Sequence, residues 1–191
     1  MEKKNMEKRL EAPLRIVVDF LENRNYRYAI IGGIALARWG VVRATYDIAI
    51  KVLVPNTEYA RMRTILRAAF PIRAREHAPE NPLIISVSIE NVIVDFLLSL
   101  PGYEELIIER AVQRDMGGIQ TWLCSAEDLI IQKIVVGRRK DWDDVEALLN
   151  EQKGKLDENY IEDWLTQFAD VLEKQELLLE YKRLLEKIKV E

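Results

Sequence analysis

Two carboxylates set in apolar runs, Asp47 and Asp95, are the residues of this chain best suited to chemistry. Asp47 leads the run Asp47, Ile48, Ala49, Ile50, and Asp95 lies within Val92, Ile93, Val94, Asp95, Phe96, Leu97, Leu98. A carboxylate buried in such a strand without a partner is costly, so Asp95 calls for a cation, a hydrogen-bond donor or a solvent-facing side. Phosphoryl and nucleotidyl transfer use acids in this kind of setting. Two magnesium ions about 4 Å apart, held by carboxylates, neutralise a triphosphate and align the attacking and leaving oxygens. Alternate residues of a strand share a face, so positions 47 and 49 lie about 7 Å apart on one side, where position 95 of an adjacent strand can meet them. Asp47 and Asp95 supply acids to that arrangement, and position 49 is an alanine.

Upstream of Asp47 the chain reads Ile30, Ile31, Gly32, Gly33, Ile34, Ala35, Leu36, and then Arg43, Ala44, Thr45, Tyr46. A glycine pair between a buried strand and a helix start can offer backbone N–H groups to phosphate oxygens, or it can simply turn the chain. It is not a Walker loop, because no Gly-Lys-Ser or Gly-Lys-Thr follows at the required spacing. Arg43 and Thr45 either contact phosphate or orient the strand that carries Asp47. A second charged run holds Lys133, Arg138, Asp141 and Asp144 around Gly137. It presents either a basic side chain for a triphosphate or a solvated helix-turn-helix surface laced with ion pairs.

Hydrophobic periodicity supplies the elements that must position these residues. Leu10, Leu14, Val17, Val18 and Leu21 recur at helical spacing and predict an amphipathic helix over about residues 7–23. A strand at 28–31, a helix at 34–39 ended by Gly40 and a strand at 46–54 ended by Pro55 follow. Asn56 or Thr57 is expected to cap a helix through Ala69, with Met62, Ile65, Leu66 and Ala69 on its inner face. Residues 73–82 read as an exposed loop, and 83–89 with 92–98 as a hairpin turning at Glu90 and Asn91. A short helix at 104–109 and a strand at 119–123 complete the mixed part. Ser125 with Asp128 starts a helix to about Val136, and helices at 141–152, 158–169 and 174–190 close the chain. The expected organisation is a sheet core over 1–124 and a C-terminal helical region, 125–191, packed on it.

The 191 residues, 49% hydrophobic, suffice for this core. No apolar run approaches the roughly 20 residues of a membrane span, and the charged opening is not a signal peptide, so a soluble, cytoplasmic protein is expected. One cysteine, Cys124, and one histidine, His77, exclude an internal disulfide and a zinc site of the Cys/His kind, so any metal must be held by oxygen. Net charge is −4, but residues 1–75 hold 15 Lys and Arg against 7 Asp and Glu, whereas 76–191 hold 13 against 25. A basic front suits a polyanion such as a nucleoside triphosphate or RNA; segregation of solvated charges is the alternative.

In order along the chain, Gly-Gly-Ile-Ala-Leu with Arg-Ala-Thr-Tyr-Asp-Ile-Ala-Ile, then Val-Ile-Val-Asp-Phe-Leu-Leu-Ser-Leu-Pro-Gly-Tyr-Glu, then the run from Ser125 to Val145 resemble the AbiEii-type nucleotidyltransferases. These are a prokaryotic branch of the polymerase-beta-like superfamily that includes toxins of toxin-antitoxin systems. The resemblance spans about residues 12–150. It implies an α+β minimal nucleotidyltransferase fold, a mixed β-sheet with flanking helices and a C-terminal helical region. It also implies Asp47 and Asp95 as catalytic magnesium ligands, Gly32 and Gly33 near the phosphates, Lys133 on the triphosphate, and Arg138, Asp141 and Asp144 as a second charged cluster; with Arg43 and Thr45 these make the candidate nucleotide-binding set. The implied reaction transfers NMP from the NTP to an RNA, such as tRNA, or to a protein, with a cognate antitoxin as partner. The family pattern carries a second aspartate where this chain has Ala49. A natural pseudoenzyme, a deliberate Asp-to-Ala change and a neighbouring carboxylate taking over all remain open, as do the acceptor, the base preference and the oligomeric state. Two other classes stand beside the enzyme: a catalytically silent nucleotide- or partner-binding module, and a helical interaction protein using residues 158–190.

Overall fold

A computed structural model describes residues 2–73 and 81–190. The chain forms two compact units, one of Met1–Ala35 with Arg43–Cys124 and one of Leu36–Val42 with Ser125–Glu191. Most of the expected exposed loop at 73–82, with His77, lies outside the described residues.

The first unit is built on a hairpin whose turn is legible in its backbone. Glu90 and Asn91 have φ of 48° and 61°, the left-handed pair that lets a two-residue connection follow the twist of its strands. It joins β3 (Ile84–Ile89) to β4 (Val92–Leu98) with Ile89 opposite Val92. Next come β2 (Asp47–Val52), parallel to β4, and β1 (Tyr28–Ile31), antiparallel to β2. β6 (Gln120–Leu123) runs parallel to β1, and β5 (Val112–Asp115) closes the sheet antiparallel to β6, giving the order β3-β4-β2-β1-β6-β5. β5 was not expected: Val-Gln-Arg-Asp has a single apolar residue and lies largely exposed at the edge, so no alternation announces it.

One face of the sheet is apolar. Ile48, Ile50, Val52, Val94, Phe96, Val87 and Ile85 are almost fully buried there, each contributing about 1.5–3 kcal/mol relative to exposure. Helices α1 (Glu2–Glu22) and α3 (Tyr59–Ala69) cover it, and the rings of Phe20, Phe70 and Phe96 follow one another at 4.9 and 6.1 Å. A 3-10 turn at Asn56–Glu58 leads into α3, and neither Asn56 nor Thr57 caps it through a side chain. Met62 and Leu66 are buried as expected, but Ile65 is half-buried and Ala69, the last residue of α3, is exposed.

Helix α2 (Gly32–Arg38) follows β1 directly, and α4 (Tyr103–Glu109) follows the Pro101–Gly102 break. The second unit contains α5 (Ala126–Val136), α6 (Arg139–Glu151), α7 (Glu158–Val171) and α8 (Glu176–Val190). α5 is its centre: Leu129, Ile130, Ile131 and Ile134 are buried, and α6, α7 and α8 all pack against it. The N–H of Asp128 donates to Ser125 Oγ at 3.0 Å, the expected cap, while Ser125 Oγ and Tyr160 Oη donate to the two Asp128 oxygens at 2.6 and 2.8 Å. Gly137, at φ 70°, ends α5 with its N–H on Lys133 O. Residues 36–42 join this unit through Gln152, whose amide donates to Trp39 O at 2.7 Å. A mixed six-stranded sheet with eight helices among the described residues is the α+β class expected. Among those residues no helix is long and apolar enough to cross a membrane.

Candidate functional site

Parallel pairing of β2 with β4 sets Asp47 opposite Ile93 and Ala49 opposite Asp95. Paired residues share a face, as do residues two apart on a strand, so Asp47, Ala49 and Asp95 lie together on the face opposite the apolar one. Asp95 is 6% exposed, Ala49 is half-buried, and Asp47, at the start of its strand, is exposed. β3 extends the row: Ser86 lies opposite Asp95, and its Oγ donates to Asp95 Oδ1 at 2.6 Å. On the other side Ile31 of β1 lies opposite Ala49, and the chain then turns into α2 at Gly32.

The two glycines answer different demands. Gly32 has φ +69°, while a Cβ added there would meet Ala49 Cβ at an ordinary 3.5 Å, so backbone conformation selects glycine. Gly33 is selected by space, since a Cβ would fall 1.7 Å from Thr45 Oγ1 and 2.9 Å from Thr45 Cβ. Thr45, 6% exposed, is thus wedged against the first turn of α2 two residues before Asp47; Arg43, half-buried, precedes it by two more. The face continues inward to Lys51, whose Nζ pairs with Glu104 of α4 at 2.7 Å and is nearly shielded from solvent.

In the second unit Lys133, Arg138, Asp141 and Asp144 form one cluster. Lys133 Nζ donates to Asp144 Oδ2 at 2.5 Å and lies 3.6 Å from Asp141 Oδ1. Arg138 grips Asp141 with two bonds, at 2.6 and 3.1 Å. Burial pushes the Asp141 carboxyl up, but the Arg138 bonds and the Arg138 and Lys133 charges outweigh it, leaving the group below its ordinary value. The Asp141 bond raises Arg138. The expectation of a surface laced with ion pairs holds for the pairs and fails for the surface: apart from Arg138, these side chains are buried, in the packing of α5 with α6.

Among the described residues no group of three or more His, Cys, Asp or Glu is placed to hold a metal. Asp47 and Asp95 nevertheless fit magnesium chemically, for this ion takes hard oxygen donors and is commonly bound by one or two carboxylates together with substrate phosphates and water. The methyl of Ala49 adds no donor for a second ion. Ser86, Lys51 and Glu104 were not foreseen. Ser86 was within reach of the sequence, since a two-residue turn at Glu90 and Asn91 fixes the hairpin register and sets residue 86 opposite 95.

The profile of a family described as nucleotidyltransferase of unknown function (DUF6036) matches residues 14–189. No curated protein sequence matches the chain. Among solved structures it is similar to an antigenic nucleotidyltransferase-like protein from Paracoccidioides brasiliensis, at 16% identity over 92% of this chain and 93% of that one, with a TM-score of 0.54. It is also similar to ANT(2″)-Ia, solved with adenylyl-2″-tobramycin, at 15% identity over 86% of this chain and 99% of that one, with a TM-score of 0.55. At such identities the likeness is one of fold.

Proposed function

This chain belongs to the nucleotidyltransferase family of unknown function DUF6036, and from that premise we propose that the Asp47–Asp95 face binds a magnesium-NTP and transfers NMP to an acceptor, with activity impaired by Ala49. The observation that carries this reading is the β2–β4 register, which sets Asp47, Ala49 and Asp95 on one face beside the Gly32–Gly33 turn. In the proposed reaction an acceptor oxygen forms a bond to the α-phosphorus and pyrophosphate leaves. Asp47 and Asp95 hold magnesium, which when bound supplies charge neutralisation at the triphosphate. Gly32, Gly33, Arg43 and Thr45 take the phosphates.

By resemblance to the AbiEii type, Lys133, Arg138, Asp141 and Asp144 of the second unit are taken as nucleotide contacts in this proposal. Lys133 gives one of its three N–H donors to Asp144, so a phosphate there would compete with or join that pair. The same resemblance makes an RNA, such as tRNA, or a protein the acceptor, and a cytoplasmic toxin held by an antitoxin the biological setting. The basic residues of the first 75 positions favour a polyanion. Because ANT(2″)-Ia was solved with an adenylylated aminoglycoside, a small hydroxylated amine is included among the test acceptors.

Loss of one charge-stabilising group at such a site costs about 3–4 kcal/mol in the transition state, roughly 10²–10³ in rate. Labelled NTPs with tRNA, total protein and an aminoglycoside, assayed with wild type and Ala49→Asp, should give product at least about a hundredfold faster in the variant. Asp47→Ala in the Ala49→Asp background should abolish it. No product and no magnesium-dependent NTP binding, in a variant whose melting curve is intact, would refute the proposal.

The second reading, a silent nucleotide- or partner-binding module, is favoured by Ala49 and by the lack, among the described residues, of three acids grouped to hold a metal. It predicts NTP binding without product even in Ala49→Asp. If the ligand is instead an antitoxin-like partner, its binding should be unchanged by Asp47→Ala.

A further inference from the structure

We propose that Ser86 is a positioning residue for Asp95, fixing the rotation of its carboxylate so that it can serve as a magnesium ligand; this rests on the metal-site reading given above. An aspartate side chain turns through a broad, nearly two-fold torsion about χ2, so its backbone position alone does not orient the two oxygens. The 2.6 Å bond from Ser86 Oγ to Oδ1 supplies one constraint on it, at a length typical of an O–H donor on an ionised acceptor. Ser86 is itself held on both sides. Its strand pairs with β4 in the register that faces it to Asp95, and its carbonyl accepts the N–H of Arg73 at 3.0 Å, next to the bridge between Ile72 and Val87. The donor therefore sits on fixed backbone and anchors Oδ1 of the carboxylate. Ser88, two residues on, shares the face but lies opposite Ile93, which makes it the matched control.

A merely structural serine would satisfy a buried carboxylate and affect stability alone. A positioning serine must also affect metal affinity, because hydrogen-bond partners of metal ligands typically contribute 10–100-fold. The test measures Mn2+ binding by calorimetry and by the paramagnetic resonance of the bound ion, together with melting curves, in wild type and in Ala49→Asp. Ser86→Ala should weaken Mn2+ about tenfold and alter the spectrum. Ser86→Thr, which keeps the hydroxyl and suits a strand, should restore both, and Ser88→Ala should change neither. If Ser86→Ala leaves affinity and spectrum unchanged while Asp95→Asn abolishes binding, Ser86 is structural and the inference is overturned with the metal site intact. If neither background binds Mn2+, or Asp47→Ala and Asp95→Asn both leave binding unchanged, the metal-site reading fails and the inference with it.

Discussion

Replacing Gly33 with alanine tests the packing on which the position of Asp47 depends. The added Cβ would sit 1.7 Å from Thr45 Oγ1, 2.9 Å from its Cβ and 3.1 Å from its Cγ2, against an ordinary contact of 3.4 Å or more. Rotating χ1 of Thr45 moves Oγ1 and Cγ2 but not Cβ, so the backbone at residue 45 must shift as well. Overpacking of this kind costs about 1–3 kcal/mol. Because Gly33 lies in α2, alanine returns about 0.5–1 kcal/mol of helix propensity. With contacts of 1.7 and 2.9 Å the cost falls in the upper part of that range, about 2–3 kcal/mol, so the balance is a loss of about 1–2.5 kcal/mol, or roughly 2–10 °C in melting temperature for a chain of this size. Thr45→Ala removes the 1.7 and 3.1 Å contacts and leaves the 2.9 Å one to Cβ, so in a double-mutant cycle Gly33→Ala with Thr45→Ala should cost less than the two single changes added, by about 1 kcal/mol. Calorimetric or dichroic melting of the four proteins decides it. Additive losses, or a neutral Gly33→Ala, would refute the claim that Thr45 is wedged into the α2 turn.

Two further outcomes concern the second unit. Asp144→Ala leaves the nearly buried Lys133 ammonium with only the 3.6 Å approach to Asp141 and should cost about 3 kcal/mol; adding Lys133→Met should recover part of the lost melting temperature. Asp141, whose carboxyl is held below its ordinary 3.8, contributes stability that is present above that value and lost as pH falls through the lower folded value. Melting temperature should therefore decline with acidification from about pH 4 downward, less steeply in Asp141→Asn, and equal slopes in the two proteins would contradict the pairing with Arg138.

Local patterns carried much of the fold. The alternation in residues 84–89, the left-handed pair at Glu90 and Asn91, the Ser125 cap and the Gly137 stop each act over a few residues, so each was legible without coordinates. The edge strand β5 was not, because its side chains bury almost nothing and its existence depends on pairing with β6. The start of α3 differed for a related reason, since the backbone turn at residues 56–58 replaces a side-chain cap.

The candidate site divides along the same line. Sequence by itself determined which acids exist, that position 49 lacks one, and that residues 47 and 49 share a side, because side-chain direction along a strand alternates whatever the neighbours. Tertiary structure decided that β2 lies beside β4, so that Ala49 meets Asp95; that Thr45 fills the space Gly33 leaves; and that Lys133 is enclosed with Asp144. Those facts depend on which distant segments pack together. That choice is made by burial of the apolar sheet face and of α5, which sums over the whole chain and is encoded in no single stretch of it.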